Sequence, residues 1–257
     1  MADLEMNVDD GIATLTMNRP EARNAMSMEM RSLMDEVFHQ VEFDDTIRCV
    51  VLEGAGDHFM AGGDVKNMYE YLHSHDESDI QSYFLHRIHD LHTIMYSMRR
   101  MPKPIVAKVR GAAAGAGVSF AAACDLVIAE ESAFFTLAYC NIGTTPDGSS
   151  SFHLPRAIGI KRAMEMTLLG DRYTAQQMAN MGLVNFVVPN EKLDEETDKL
   201  ASRLANGPTQ VYGQGKRLMY SSLENEFESQ LQLEAECFAD CAKRNDYREG
   251  ITAFVEK

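Results

Sequence analysis

No stretch of this 257-residue chain approaches the ~18 consecutive apolar residues that a membrane-spanning helix needs, so no membrane partner is expected. The opening residues, Met1-Ala2-Asp3-Leu4-Glu5, lack the basic stretch and apolar core of a secretory signal. Basic residues are in deficit: 24 Lys and Arg against 39 Asp and Glu leave a net charge of −15. A chain this acidic is poorly suited to a phosphate backbone, and no nucleic-acid partner is expected. Five cysteines (Cys49, Cys124, Cys140, Cys237, Cys241) stand at no framework spacing, most of them in apolar runs. They read as reduced thiols, which points to a cytoplasmic protein. Cys237 and Cys241 lie one helical turn apart with no third ligand nearby, and His86, His89 and His92 drift off a common helix face, so no metal site is expected. Internal repeats and low-complexity tracts are also missing. What is left is ordinary globular composition, 45% hydrophobic and 25% charged.

Two stretches stand out within it. The first is Ile105–Asp125, IVAKVRGAAAGAGVSFAAACD. Pro102 and Pro104 favour an extended entry, so Ile105 to Val109 reads as a buried strand. Gly111 to Gly117 holds only glycine and alanine, which lets backbone approach another surface closely. Val118 to Cys124 reads as a buried helix. The first amides of such a helix have no intrahelical partner and can hold a developing oxyanion. The second stretch, His58-Phe59-Met60-Ala61-Gly62-Gly63-Asp64, follows a strand at Cys49–Leu52 and precedes a helical pattern. Two strand–glycine loop–helix units, each offering an amide, are the minimum for an oxyanion hole.

Residues 4–8 and 11–17 alternate about Asp9-Asp10-Gly11, which predicts a hairpin with an Asp-Gly turn. Ser27 caps a helix to about Val41, and 47–53 is a strand. A helix over Val65–Leu72 is followed by a polar stretch, His73–Ser82, that reads as a mobile loop. Tyr83–Met101 is a long helix, and short strands follow at Leu126–Ala129 and Ala133–Leu137. Alternation of this kind argues for α/β architecture. Beyond Pro146–Ser151 the chain reads as helices over 156–169, 174–181, 193–206, 208–221 and 223–244.

Together with Asn18–Ala25, Ile142–Pro146, Gly182-Leu183-Val184 and the terminal Ala253–Lys257, the two glycine loops resemble the crotonase, or enoyl-CoA hydratase/isomerase, superfamily. The resemblance covers nearly the whole chain. It implies a crotonase fold, with repeated ββα units forming a spiral β core over residues 1–199 and a helical trimerisation region over 200–257. It implies an acyl-CoA thioester as substrate, with coenzyme A part of that substrate and no separate cofactor, and a homotrimer or dimer of trimers. It places the oxyanion amides at Ala61 and Ala116. Coenzyme A is expected on Arg23 and Ala25, on main chain of Ala61, Gly62, Gly63, Asp64 and Ala116, and on Phe254 and Lys257 of a neighbouring subunit. Met68, Tyr69, Tyr71 and Leu72 are placed to line an acyl pocket.

The two glutamates that hold water in the hydratases of this family fall at Ser119 and Tyr139, and neither side chain is a general base at neutral pH. Asp147 is the carboxylate that remains, at a position where some isomerases and dehalogenases of the family carry an acidic residue. The expectation is Δ3–Δ2 enoyl-CoA isomerisation with Asp147 as acid and base. The alternatives are hydration or another crotonase-type reaction through Asp147, such as a lyase or dehalogenase reaction, or a non-catalytic acyl-CoA- or RNA-binding relative.

Overall fold

The computed structural model describes residues 2–256. The chain opens with the hairpin read from its alternation, β1 (Leu4–Asp9) and β2 (Ile12–Met17), paired antiparallel with Asp9 opposite Ile12. Asp10 and Gly11 both have positive φ, 46° and 78°, as the tight Asp-Gly turn requires. Ser27 caps α1 (Met28–Phe43), its hydroxyl accepting from Met30 N at 2.9 Å. Then come β3 (Cys49–Gly54), α2 (Val65–Ser74), α3 (Glu77–Arg100), β4 (Ile105–Val109), β5 (Ala112–Ala114) and α4 (Ala116–Ala123). β6 (Leu126–Glu130), β7 (Phe134–Thr136), α5 (Ser150–Ile158), α6 (Ile160–Leu169), β8 (Tyr173–Thr174), α7 (Ala175–Met181) and β9 (Phe186–Val188) follow. The chain ends in four helices: α8 (Leu193–Ala205), α9 (Thr209–Ser221), α10 (Phe227–Ala242) and α11 (Asn245–Val255).

One sheet has six strands in the order β1-β2-β3-β4-β6-β9, parallel except for the β1–β2 hairpin. Both faces of its central strands β3, β4 and β6 are covered, which explains why these strands read as apolar runs rather than as alternating patterns. Val50, Leu52, Ile105, Ala107, Val127 and Ala129 face the main core, with α1, α3 and α4. The intervening Cys49, Val51, Val106 and Ile128 meet Leu193, Ala201 and Ala205 of α8. The boundary expected at 199/200 thus falls inside a helix that closes this sheet. Lys108 shares that second face and is held there by Glu53 at 2.7 Å and Asp194 at 2.6 Å.

A second sheet, β5-β7-β8, is extended by isolated bridges from Ala113 to Met60 and from Gly63 to Met26. β2, β3, β4 and β6 are therefore each followed by an extended piece in the second layer and then a helix. That is the repeated ββα unit. The three loops leaving the second layer, at 61–64, at Gly115 and at 138–149, all open onto one cavity.

Two sequence expectations are corrected. The polar run His73–Ser82 is not a loop: α2 continues to Ser74, only His75 and Asp76 intervene, and α3 begins at Glu77. Glu77 and Asp79 sit in the first turn of α3, where acidic side chains complement the helix dipole. Stacking of Tyr71 on His75 and on Tyr83, with ring centroids 3.9 and 3.4 Å apart, folds the two helices together. The helix read as 156–169 is two helices, broken at Gly159 with φ 77°. The chain also forms a last helix, α11, beyond the helices read to residue 244 and inside the helical region that the resemblance implies over 200–257.

Candidate active site

The cavity has a volume of about 990 Å³. Its wall includes Met26, Met68, Leu91, Met95 and Leu137, with polar groups at a few points. Of the expected acyl-pocket residues, Met68, Tyr69 and Leu72 line it, and Tyr71 is drawn instead into its stack with His75 and Tyr83.

The first glycine loop is held by backbone on both sides. Met60 N donates to Ala112 O at 3.0 Å, and Met60 O accepts from Ala114 N at 2.8 Å. In a trans peptide the N–H points opposite to the preceding C=O. The amide of Ala61 is therefore turned away from β5, and it donates to Arg23 O at 2.9 Å. This corrects the expectation for Ala61: its N–H is committed to the fold. Two peptides further on, the geometry reverses. Gly62 O accepts from Met26 N at 2.8 Å, so the N–H of Gly63 points the other way, and it has no acceptor among the described residues. Gly62, with φ 101°, lets the chain lie against the second loop: a Cβ there would come 3.4 Å from Ala116 N. Ala116 N–H is the first amide of α4, and Gly115 O points into the helix to accept from Val118 N at 3.0 Å. Ala116 N–H is therefore directed outward, and it too is without an acceptor among the described residues. Gly63 and Ala116 each bring an unpaired amide to the cavity wall.

Asp147 stands in the third loop. Its Oδ1 accepts from the Tyr139 hydroxyl at 2.6 Å. Its backbone carbonyl accepts from Ser119 Oγ at 2.9 Å and from Ser150 Oγ at 2.9 Å. The residues at the two hydratase glutamate positions thus frame Asp147, one through its carboxylate and one through its main chain. The backbone here is unusual: Ala138, Gly143, Gly148 and Ser149 all have positive φ. Burial pushes the Asp147 carboxyl above its ordinary range, opposed by the Tyr139 hydrogen bond and by Arg31, Arg87 and His92. Burial and Asp147 together push the Tyr139 phenol well up, so it stays a protonated donor.

The only other carboxylate lining the cavity among the described residues is Glu224, bound at 2.6 Å to Arg99. Arg99 also lies over Phe152 and Tyr220, 4.7 and 4.8 Å from their ring centroids. Near them His153, with Nδ1 3.0 Å from Ser149 Oγ, is held down to about 4 by burial and by Arg99 and Arg156, and is neutral at physiological pH. Sequence reading missed this group.

The remaining candidates are dispersed. Arg23 is exposed, and its contribution within the chain is the carbonyl that binds Ala61. Ala25 O accepts from Arg19 Nη1 at 2.6 Å. Asp64 caps α2 through Asn67 N at 3.1 Å and pairs with Arg19 at 3.0 Å. Phe254 is 80% exposed on α11, and Lys257 lies outside the described residues. No group of three His, Cys, Asp or Glu side chains that could hold a metal ion occurs among the described residues. Nor is any helix among them long and apolar enough to cross a membrane.

A sequence profile of the enoyl-CoA hydratase/isomerase family matches residues 7–257. The chain belongs to that family. Among curated members it is 37% identical over 251 residues to 1,2-epoxyphenylacetyl-CoA isomerase of Escherichia coli, covering 98% of this chain and 94% of the relative. It is 35% identical over 252 residues to trans-2-decenoyl-acyl-carrier-protein isomerase of Streptococcus mutans, with the same coverage of each. The crystal structure of an enoyl-CoA hydratase from Mycobacterium smegmatis superposes with a TM-score of 0.90 at 32% identity, over 100% of this chain and 97% of that one. The fold is the crotonase fold, and the protein is a crotonase-family acyl-CoA enzyme.

Proposed function

We propose that this crotonase-family enzyme is a Δ3–Δ2 enoyl-CoA isomerase in which Asp147 carries the proton. The observation that supports it is one half-buried cavity carboxylate outside any ion pair, Asp147, with Ser119 and Tyr139 at the positions of the two hydratase glutamates. Asp147 removes a proton from C2 of the acyl chain. The thioester oxygen takes up the negative charge against the N–H groups of Gly63 and Ala116. Asp147 then returns the proton to C4, so that the double bond moves and no water enters the balance. A carboxyl raised by burial is a better base, and then a better acid, than an exposed one. A panel of 3-enoyl- and 2-enoyl-CoA thioesters tests this: turnover of the 3-enoyl series without hydration is expected. Efficient hydration of 2-enoyl-CoA with no isomerisation of 3-enoyl-CoA would overturn it.

The hydrogen bond to Asp147 has a consequence for pH. Isomerisation needs the ionised carboxylate, so the rate rises with pH through the raised Asp147 value and then levels. Tyr139→Phe removes the donor that opposes burial, so this rise is expected to move to higher pH. Ser119→Ala removes one of several donors to a carbonyl, costs about 1 kcal/mol or less of stability, and leaves the profile in place. Profiles of kcat/KM against pH for the two variants check both outcomes.

The assembly proposed with this reading is a homotrimer or dimer of trimers. It is supported by apolar side chains left exposed on α9, α10 and α11, among them Met219, Phe227, Phe238 and Phe254. Sedimentation as a monomer at micromolar concentration would contradict it.

A further inference from the structure

Of the three arginines that line the cavity, Arg99 is paired with Glu224, and the other two are Arg31 from α1 and Arg87 from α3. They are 6% and 3% exposed. Each occupies a place in its helix where an apolar residue would be expected. Arg31 shares its stripe with Met34, Phe38 and Val41, and Arg87 with Leu91, Ile94 and Met98, all buried. The two guanidinium groups are neighbours: Arg31 Nη1 and Arg87 Nη1 both reach Met28 Sδ, at 3.7 and 3.6 Å.

Their other hydrogen bonds are to neutral groups. Arg31 Nη1 donates to Arg87 O at 2.8 Å. Arg87 Nη1 donates to Asn67 Oδ1 at 2.9 Å and to Tyr83 Oη at 3.1 Å. Neither arginine forms an ion pair among the described residues, and Arg31 Nε and Arg87 Nη2 are buried without a partner. Burial and the adjacent Arg87 charge both weigh against the Arg31 cation, while Asp90 and Asp147 favour it only from a distance. Two like charges withdrawn from water without a counter-ion are strongly disfavoured. With Asp147 ionised, the three groups still sum to one positive charge. A single carboxylate brought in by a ligand would neutralise it and supply acceptors for the free N–H groups in a geometry that suits guanidinium.

We propose that Arg31 and Arg87 form an anion subsite in the acyl cavity, and that the preferred substrates are mono-CoA thioesters of dicarboxylic acids. The free carboxylate sits on the acyl chain rather than on coenzyme A. The two arginines face the cavity that holds Asp147, the group assigned to the carbon beside the thioester, whereas the phosphates of coenzyme A are separated from that carbon by the whole pantetheine arm. The inference rests on an acyl-CoA thioester as substrate and not on which proton Asp147 moves.

Calorimetric titration with saturated, unreactive thioesters of matched length tests it: adipyl-CoA against hexanoyl-CoA, and suberyl-CoA against octanoyl-CoA. The dicarboxylic partner is expected to bind about tenfold or more tightly in at least one pair. Arg31→Met and Arg87→Met keep much of the side-chain bulk and remove the charge. Each is expected to erase that advantage while leaving hexanoyl-CoA affinity within about threefold, since a neutral chain makes no charged contact there. Equal binding within both pairs by the wild type overturns the proposal while leaving the acyl-CoA reading intact. An advantage that survives in both variants overturns it as well, because the carboxylate is then held elsewhere. Failure of all four thioesters to bind would remove the acyl-CoA reading and this inference with it. The wild-type comparison decides the question even if a variant does not fold.

Discussion

Asp147→Asn is expected to lower kcat on 3-enoyl-CoA by about 10²–10⁴-fold or more, the range typical of a lost general acid–base group. The amide keeps the size of the side chain and still accepts from the Tyr139 hydroxyl, but it cannot take and return a proton. Binding of a saturated acyl-CoA is expected to change little. Stability supplies a second readout of opposite sign. The Asp147 carboxyl is raised by burial in the folded protein and titrates at its ordinary value in the unfolded chain. Its contribution to stability is therefore fully present below the ordinary carboxylate range and is lost as pH rises through the raised value. Above the raised value the wild type has lost that contribution, whereas the amide does not titrate, so there the variant is expected to melt higher than the wild type. Steady-state kinetics and thermal unfolding on the same preparation separate the two effects. Near wild-type turnover would place the base elsewhere.

Gly117→Ala is the second large effect. A Cβ at Gly117 would lie 2.4 Å from Met60 O, and the atom it meets is backbone, which cannot swing aside. Met60 O is also the acceptor for Ala114 N, so relieving the overlap strains the bridge that joins the first glycine loop to the second layer. The amides of Gly63 and Ala116 stand on either side of this contact. The contact joins the two loops that carry them, and a displacement approaching 1 Å in such a pair costs about 10²-fold in rate. The expected result is a loss of that order in kcat together with about 1–3 kcal/mol of stability from overpacking. Gly215→Ala is the control, because a Cβ there meets nothing within 4 Å, and in a helix interior it is expected to stabilise by up to about 1 kcal/mol. If Gly117→Ala turns over like the wild type, the two amides are not the oxyanion pair.

Much of the fold was legible in the sequence because its signals are local. The Asp-Gly turn, the Ser27 cap and the apolar runs of the parallel strands each follow from a few adjacent residues. The His73–Ser82 run was misread because polarity was taken for a loop, whereas an acidic first turn and an aromatic stack make it helical. At the site, Ala116 is placed by the family resemblance, since the apolar pattern begins its helix at Val118, whereas the structure begins it at Ala116 and leaves that amide free. The free amide of the first glycine loop could not be placed that way. Whether Ala61 or Gly63 presents its N–H depends on which neighbouring strand each peptide faces, and Arg23 and Met26 decide that from some 37 residues away along the chain. Arg31 and Arg87 carried a signal that was passed over: an arginine inside an apolar helical stripe is worth asking about before the fold is known.

The two bonds that orient the first glycine loop, from Ala61 N to Arg23 O and from Met26 N to Gly62 O, also couple that loop to the segment expected to wrap the nucleotide end of coenzyme A. Tension on residues 23–26 is passed to Gly63 through main chain alone. Contacts far from the reacting carbons can thus be converted into alignment of the amide proposed to receive the enolate charge. A substrate shortened to its pantetheine arm would present the same reacting carbons but pull on nothing. For such a truncated thioester the expected deficit lies in kcat and not only in KM, as when remote binding energy is used to order the reacting centre. Kinetics of matched 3-enoyl-CoA and 3-enoyl-pantetheine would measure how much of the catalytic geometry is tightened from the handle end of the substrate.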